Sequence, residues 1–249
     1  LKYNFYDEGW SLEYDGIDPG YLSASCSFLS KTLNVIQNKE ILDLVKIYSK
    51  TLKMFCYPDG CFAGPIGSRN TMHLYPFGFE LLSSIDINID YLAKFSRFSL
   101  ETGNNVLPDI MSDRYLHYRV EEYLVTDRLF QIGKANLDGE FKMQKENKVY
   151  LHKAGIYHQN NSDFFLTVNL AKKFVIDFYS KKNDTYEYDR LSFTGIRILD
   201  RSGLYTSQNI SKKTKFKKEK NLLKVEGYFG KVPTENSFNL IKNLIFRFL

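Results

Sequence analysis

From Tyr21 to about Gln131, apolar residues recur every three or four positions; from Val149 onward they recur about every second position. The first spacing lines one face of a helix, the second one face of a strand. Tyr21, Leu22, Ser25, Phe28, Leu29 and Leu33 form the first helical stripe. Asp18-Pro19 opens it, with the aspartate as N-cap and the proline at the first helical position. A second helix is predicted from near Asn38, with Ile41, Leu42, Val45, Tyr48, Leu52 and Phe55 on one side, and Pro58-Asp59-Gly60 stops it. A third runs from Phe77 to Ile85. A fourth starts near Ile89 and ends at Gly103, and a fifth starts after Ser112 and carries Leu116, Arg119, Val120, Tyr123 and Leu124. Short connections between paired helices predict antiparallel hairpins stacked side by side.

The segments before and after these helices read differently. Residues 1–18 are polar and aromatic, are punctuated by Gly9 and Gly16, and predict a long surface loop. After Gly133 the period changes. Val149 to His152, Ala154 to His158, Phe164 to Leu170 and Phe174 to Tyr179 predict strands joined by turns at Asn160–Asp163 and Ala171–Lys173. Leu191 to Leu199, Gly203 to Thr206, Leu222 to Tyr228 and Leu240 to Leu249 continue the series. Roughly eight short strands with turns about every ten residues predict an antiparallel β-sandwich. No strand–helix–strand alternation calls for a parallel sheet. The expected class is therefore α+β: a helical-hairpin domain over 1–131, a linker over 132–148, and a β-sandwich domain over 149–249.

Composition narrows the partners. The chain has 249 residues, 43% of them hydrophobic, enough for one large domain or two small ones. It opens on Leu1 rather than Met, which predicts a fragment or a processed product. No apolar run approaches the roughly 18 residues of a membrane span. Aromatic residues make up 16%, which fits either a plain aromatic core or a cleft whose rings stack on sugar faces. Residues 1–110 hold 9 basic and 13 acidic side chains, whereas 111–249 hold 25 and 16. Much of that excess is the run Ser211 to Lys224, with 7 Lys and 1 Glu, which reads as a solvated hairpin or edge strand. The run is local and no nucleic-acid-binding signature accompanies it, so nucleic acid is not an expected partner.

Three cysteines, Cys26, Cys56 and Cys61, lack the spacing and histidine partners of a zinc site. Cys56 and Cys61 flank a turn and would pair in an oxidising compartment; free buried thiols are the plainer reading. No metal site and no cofactor are expected. His117 and Glu121 stand four apart on a predicted helix, but two ligands at that spacing also describe a solvated face.

The densest chemistry lies between Gly64 and Glu80 (GPIGSRNTMHLYPFGFE). Glycines let a loop approach a ligand closely. Arg69 has the fork that grips a carboxylate, Asn70 donates to one, and His73 and Tyr75 move protons. The plain alternative has Asn70 or Thr71 capping the next helix, Arg69 pairing a surface acid, and His73 and Tyr75 in the core. A second group runs from Trp10 to Tyr21 (WSLEYDGIDPGY). Trp10, Tyr14 and Tyr21 offer stacking faces, while Glu13, Asp15 and Asp18 accept from hydroxyls, a mixture suited to a sugar subsite. Glu80 and Arg119 complete the candidate substrate-binding set. No phosphate-cradling glycine loop, nucleophile elbow or cysteine–histidine nucleophile pattern is present.

Helical hairpins followed by strands, together with DGIDPGY (Asp15 to Tyr21) and GSRNT with His73 and Tyr75, resemble the polysaccharide lyases of the heparinase II/III and alginate-lyase type. The resemblance implies an α/α toroid, here partial because five helices do not close one, and a β-sandwich. It implies β-elimination on an acidic, uronate-containing polysaccharide, in a periplasmic or secreted setting. Carried over, Asn70 and Arg69 would neutralise the uronate carboxylate, His73 would be the base and Tyr75 the acid. Two other readings fit the same scaffold. One is a non-catalytic glycan-binding or polysaccharide-assembly protein; the other is a glycoside hydrolase using two carboxylates such as Asp15 and Glu80.

Overall fold

The structure, a computed structural model, describes residues 5–104, 113–143, 146–182, 187–208, 210, 213–220 and 222–232. The helices are α1 (Pro19–Leu33), α2 (Lys39–Leu52), α3 (Phe77–Leu82), α4 (Ile87–Glu101) and α5 (Asp113–Gln131). Local chemistry sets their starts. The side chains of Asp18, Asn38 and Asp86 accept from the backbone N–H groups of Tyr21, Ile41, and Asn88 and Ile89 respectively. Each such cap supplies an acceptor that the first helical turn lacks. α1 packs on α2 and α3, α4 packs on α2 and α3, and α5 packs on α3. Serines 23, 27 and 30 are buried along α1, where their small side chains let neighbouring segments come close.

A five-stranded antiparallel meander follows: β3 (Asn147–Leu151), β4 (Ile156–Asn160), β5 (Phe164–Asn169), β6 (Val175–Lys182) and β7 (Glu187–Phe193). Its register puts Ile156, His158, Phe165, Thr167, Val175, Asp177 and Tyr179 on one face. Leu151, Ile156, Phe165, Val175 and Tyr179 there join one continuous core with Val45, Leu52, Phe55, Phe79 and Phe95 of the helical segment. Packing thus crosses the change of secondary structure. The opposite face, with Tyr157, Leu166, Val168 and Ile176, is covered by Phe216, Leu223 and Val225 from the hairpin β10 (Lys215–Glu219) and β11 (Leu222–Glu226). β8 (Arg197–Asp200), β9 (Gly203–Thr206) and β12 (Gly230–Lys231) form a small separate sheet. The architecture is α+β with antiparallel sheets.

Two sequence expectations change. The stretch predicted as one strand from Leu191 to Leu199 is two, because Gly195 sits at φ +108, a conformation that breaks the ladder. The N-terminal stretch is not a free surface loop. It folds back as β1 (Phe5–Tyr6) and β2 (Trp10–Ser11), and Trp10, Ile17 and Asp18 are buried. The strand expected at Leu240 to Leu249 lies outside the described residues. The lysine run is a solvated hairpin in which Lys217 pairs Glu219 at 2.6 Å and Lys224 pairs Glu226 at 2.8 Å; its Ser211, Lys212 and Asn221 lie outside the described residues. Cys26, Cys56 and Cys61 are free thiols. No described helix is long and apolar enough to cross a membrane.

One buried group gives this fold a pH signature. His158 faces the shared core, with Nδ1 3.1 Å from Thr167 Oγ1, and burial lowers its pKa from 6.5 to about 4. Between those values the unfolded chain binds the proton and the folded chain does not. The stability from this group is therefore full above about pH 6.5 and is lost as pH falls toward 4. A gap of that size corresponds to roughly 3 kcal/mol. Urea titrations at about pH 7 and about pH 4.5 should show a smaller acid loss for His158→Gln than for the parent chain. Equal losses in the two proteins would mean that another group sets the acid limit.

Candidate functional site

The segment from Gly64 to Phe77 runs along α1, which holds it at Arg69, His73 and Tyr75. Asp18 serves two elements at once: Oδ1 accepts from Tyr21 N at 3.1 Å, and Oδ2 accepts from Arg69 N at 2.9 Å. Further along, Ser23 Oγ donates to His73 O at 3.3 Å and accepts from Tyr75 N at 3.2 Å. At the far end Glu122 of α5 accepts from Phe77 N at 3.0 Å. Gly67 lies so close to the helix start that a Cβ there would meet Pro19 Cδ at 2.8 Å.

The β5–β6 turn clamps the same segment from the other side. Lys172 is buried, and its ammonium donates to Pro65 O at 2.9 Å, to Asn70 Oδ1 at 2.6 Å and to Gly67 O. Asn169 Nδ2 donates to Ile66 O at 2.6 Å. Burial lowers the Lys172 pKa to about 8. Asn70 itself is at φ +60, a left-handed conformation that asparagine tolerates better than most residues.

These constraints divide the four residues expected to act together. Arg69 is exposed and lies over the ring of Tyr14, 4.0 Å from its centroid, while Tyr14 meets Tyr21 edge-on at 6.3 Å. Asn70 is held by Lys172. His73 and Tyr75, two apart on an irregular segment, belong to a different group built on Arg119 of α5. Arg119 is 0% exposed; Nη1 donates to Leu74 O at 2.7 Å and Nη2 to Tyr123 Oη at 2.8 Å. Its guanidinium stacks 4.6 Å from the Tyr75 centroid and 5.1 Å from that of Tyr123. Among the described residues no carboxylate lies within ion-pair distance of it, and its Nε has no hydrogen-bond partner.

That charge shapes its neighbours. Burial, with the Arg119 cation adding to it, lowers the pKa of half-buried His73 to about 4, so the imidazole is neutral at physiological pH. Burial raises the Tyr75 phenol, and Arg119 opposes the rise. A buried cation with no counter-ion among the described residues, a neutral imidazole and a phenol form a perturbed electrostatic arrangement of the kind that clusters at functional sites.

The remaining predicted residues are placed as follows. Trp10 is 2% exposed, stacks on Tyr6 at 4.1 Å and donates from Nε1 to Glu8 Oε2 at 2.9 Å, so it presents no face to a ligand. Its burial follows from the β1–β2 hairpin, which folds onto the core beside α2. Glu80 is 1% exposed and bound to Arg97 Nη1 at 2.9 Å, with its carboxyl pushed up to about 7 by burial. It is therefore a core ion pair, not a substrate contact. Tyr14, Asp15 and Tyr21 are exposed at the surface.

Sequence reasoning missed a second polar network. Asp177, buried on β6, accepts from Arg190 Nη2 at 3.1 Å and from Tyr57 Oη at 3.2 Å, while Asp59 accepts from Arg190 Nη1 and Tyr179 Oη, each at 3.1 Å. One cation satisfies two carboxylates here, and the network ties the turn after α2 to the sheet. It also missed Lys172, which carried no signal beyond its place in a predicted turn. No family model matches the chain, and no curated protein or solved structure matches it.

Proposed function

We propose that this chain is a carbohydrate-active protein that takes an acidic, uronate-containing polysaccharide and cleaves it by β-elimination. The observation that carries the reading is Arg119: a fully buried guanidinium without a carboxylate partner among the described residues, stacked on Tyr75 and next to neutral His73. A uronate carboxylate would supply the missing counter-charge after displacing the Tyr75 ring. Neutralising that carboxylate acidifies the proton on the adjacent carbon. His73 takes this proton, the electron pair forms the new double bond, the bond to the leaving oxygen breaks, and Tyr75 protonates that oxygen. Arg69, Tyr14 and Tyr21 form an exposed arginine–aromatic surface that a neighbouring part of the polymer would cover. Within this reading the helices are one arc of an α/α toroid, and the meander with its covering hairpin is a sandwich.

A second reading, binding without turnover, is favoured by a specific fact: Arg69 and Asn70 are held by Tyr14 and Lys172 and do not join His73 and Tyr75. The hydrolase reading loses support because Glu80 is occupied by Arg97. Absorbance of unsaturated uronate, followed on several acidic polymers, separates these readings. Appearance of the double bond, with a loss of about a hundredfold or more in His73→Ala, is the expected result. Full activity in that variant would remove His73 from the mechanism. Reducing ends without a double bond would mean hydrolysis.

A further inference from the structure

A cleft of about 700 Å³ opens beside α4 and shares no lining residue with the His73–Tyr75–Arg119 group. One wall is the Lys94–Glu101 side of α4; the other is the irregular segment 137–143. Phe98 and Phe141 stack in it with centroids 4.9 Å apart and planes 22° apart. Phe141 also meets Tyr91 and Phe95 edge-on, each at 5.2 Å, so this apolar platform is fixed from several sides. The irregular wall is pinned at both ends: Arg97 Nη1 donates to Asn136 O at 2.9 Å, and Tyr91 Oη lies 3.8 Å from Met143 Sδ. The cleft is therefore largely preformed, as ligand sites usually are.

Its charges select the ligand class. Lys94 is already paired with Asp90 at 2.6 Å and Arg97 with Glu80 at 2.9 Å. Among the described lining residues, this leaves Lys142 as a cation in no ion pair, and Glu101 and Glu140 as exposed carboxylates. A phosphate dianion would meet one unpaired cation and two repelling carboxylates. A fatty acid would have no group for those carboxylates to accept from. A polyhydroxylated ring with one apolar face and one carboxylate uses every element: the face on the phenylalanines, hydroxyls donating to Glu101 and Glu140, the carboxylate on Lys142.

We propose that this cleft is a subsite for a single uronate residue, separate from the centre at Arg119. The proposal rests on the acidic-saccharide reading for the ligand class and on the cleft's own lining for the place. The test is titration of the full chain with glucuronate, and with glucose as the neutral counterpart, followed by amide chemical shifts in heteronuclear NMR. Shifts at Gly139 and Lys142 on adding glucuronate, with weaker binding of glucose, are expected. Lys142→Ala, an exposed position that leaves the fold alone, should weaken glucuronate about tenfold and erase the preference over glucose. Equal affinity for the two sugars, an unaltered Lys142→Ala titration, or silent cleft amides would overturn the subsite. Shifts confined to His73 and Tyr75 would also overturn it while supporting the reading at Arg119. Shifts at the cleft without turnover of any polymer would keep the subsite and sink the lyase reading.

Discussion

Arg119→Met is expected to abolish turnover of acidic polysaccharide, by about a hundredfold or more in kcat/KM, while leaving the chain folded. The two halves of this expectation rest on opposing magnitudes. Burying a guanidinium costs several kcal/mol unless partners compensate it. Its hydrogen bonds to Leu74 O and Tyr123 Oη each return about 1.5–3 kcal/mol, and stacking on Tyr75 and Tyr123 returns about 2. Methionine fills similar space without the charge but leaves Leu74 O without its donor, so stability should fall by about 1–3 kcal/mol. Arg119→Lys keeps the charge but loses the planar fork and should fall between the two in activity. Urea titration beside the absorbance assay decides the matter. If activity merely follows the folded fraction across the three proteins, Arg119 is a structural cation and the anion-binding proposal fails.

What the sequence made legible was local. Asp18-Pro19 and Asn38 announce helix starts because a cap is satisfied within three residues of itself. The meander is legible because its turns at 160–163 and 171–173 punctuate a two-residue period. Side-chain grouping was not legible. Arg69, Asn70, His73 and Tyr75 span seven positions, yet they separate because Asn70 turns left-handed and is held by Lys172, 102 residues away. Arg119 likewise reaches back 45 residues to Leu74. Trp10 looked like an exposed platform in a polar loop because nothing local shows that Gly9 lies against α2, where a Cβ would meet Thr51 Oγ1 at 2.5 Å. The cleft beside α4 draws on Pro58, on the 94–101 turns of α4 and on 137–143, a combination no periodicity reveals.

Glu122→Ala is expected to destabilise the chain by about 4 kcal/mol, which for a protein of this size lowers Tm by about 10 °C. Glu122 is 1% exposed and accepts from three donor atoms on two elements: Ser27 Oγ on α1 at 2.8 and 2.9 Å to its two oxygens, Lys31 Nζ on α1 at 3.1 Å, and Phe77 N at the start of α3 at 3.0 Å. The residue preceding α3, Pro76, offers no side-chain cap, so a carboxylate from α5 performs that task. Alanine leaves a buried hydroxyl and a buried N–H without this acceptor, while Lys31 keeps Glu121 at 3.0 Å. Glu122→Gln retains an acceptor for Phe77 and should lose roughly half as much, and Ser27→Ala only about 1 kcal/mol. A Glu122–Ser27 double-mutant cycle should show the two losses to be non-additive, because each removes the same contact. A loss below about 1 kcal/mol in Glu122→Ala would mean that water replaces the carboxylate and that α3 needs no external cap. The effect should also reach the proposed chemistry. Phe77 follows Tyr75 by two residues, so freeing its N–H releases the end of the segment that carries His73 and Tyr75. Activity in Glu122→Gln should then fall further than its folded fraction does.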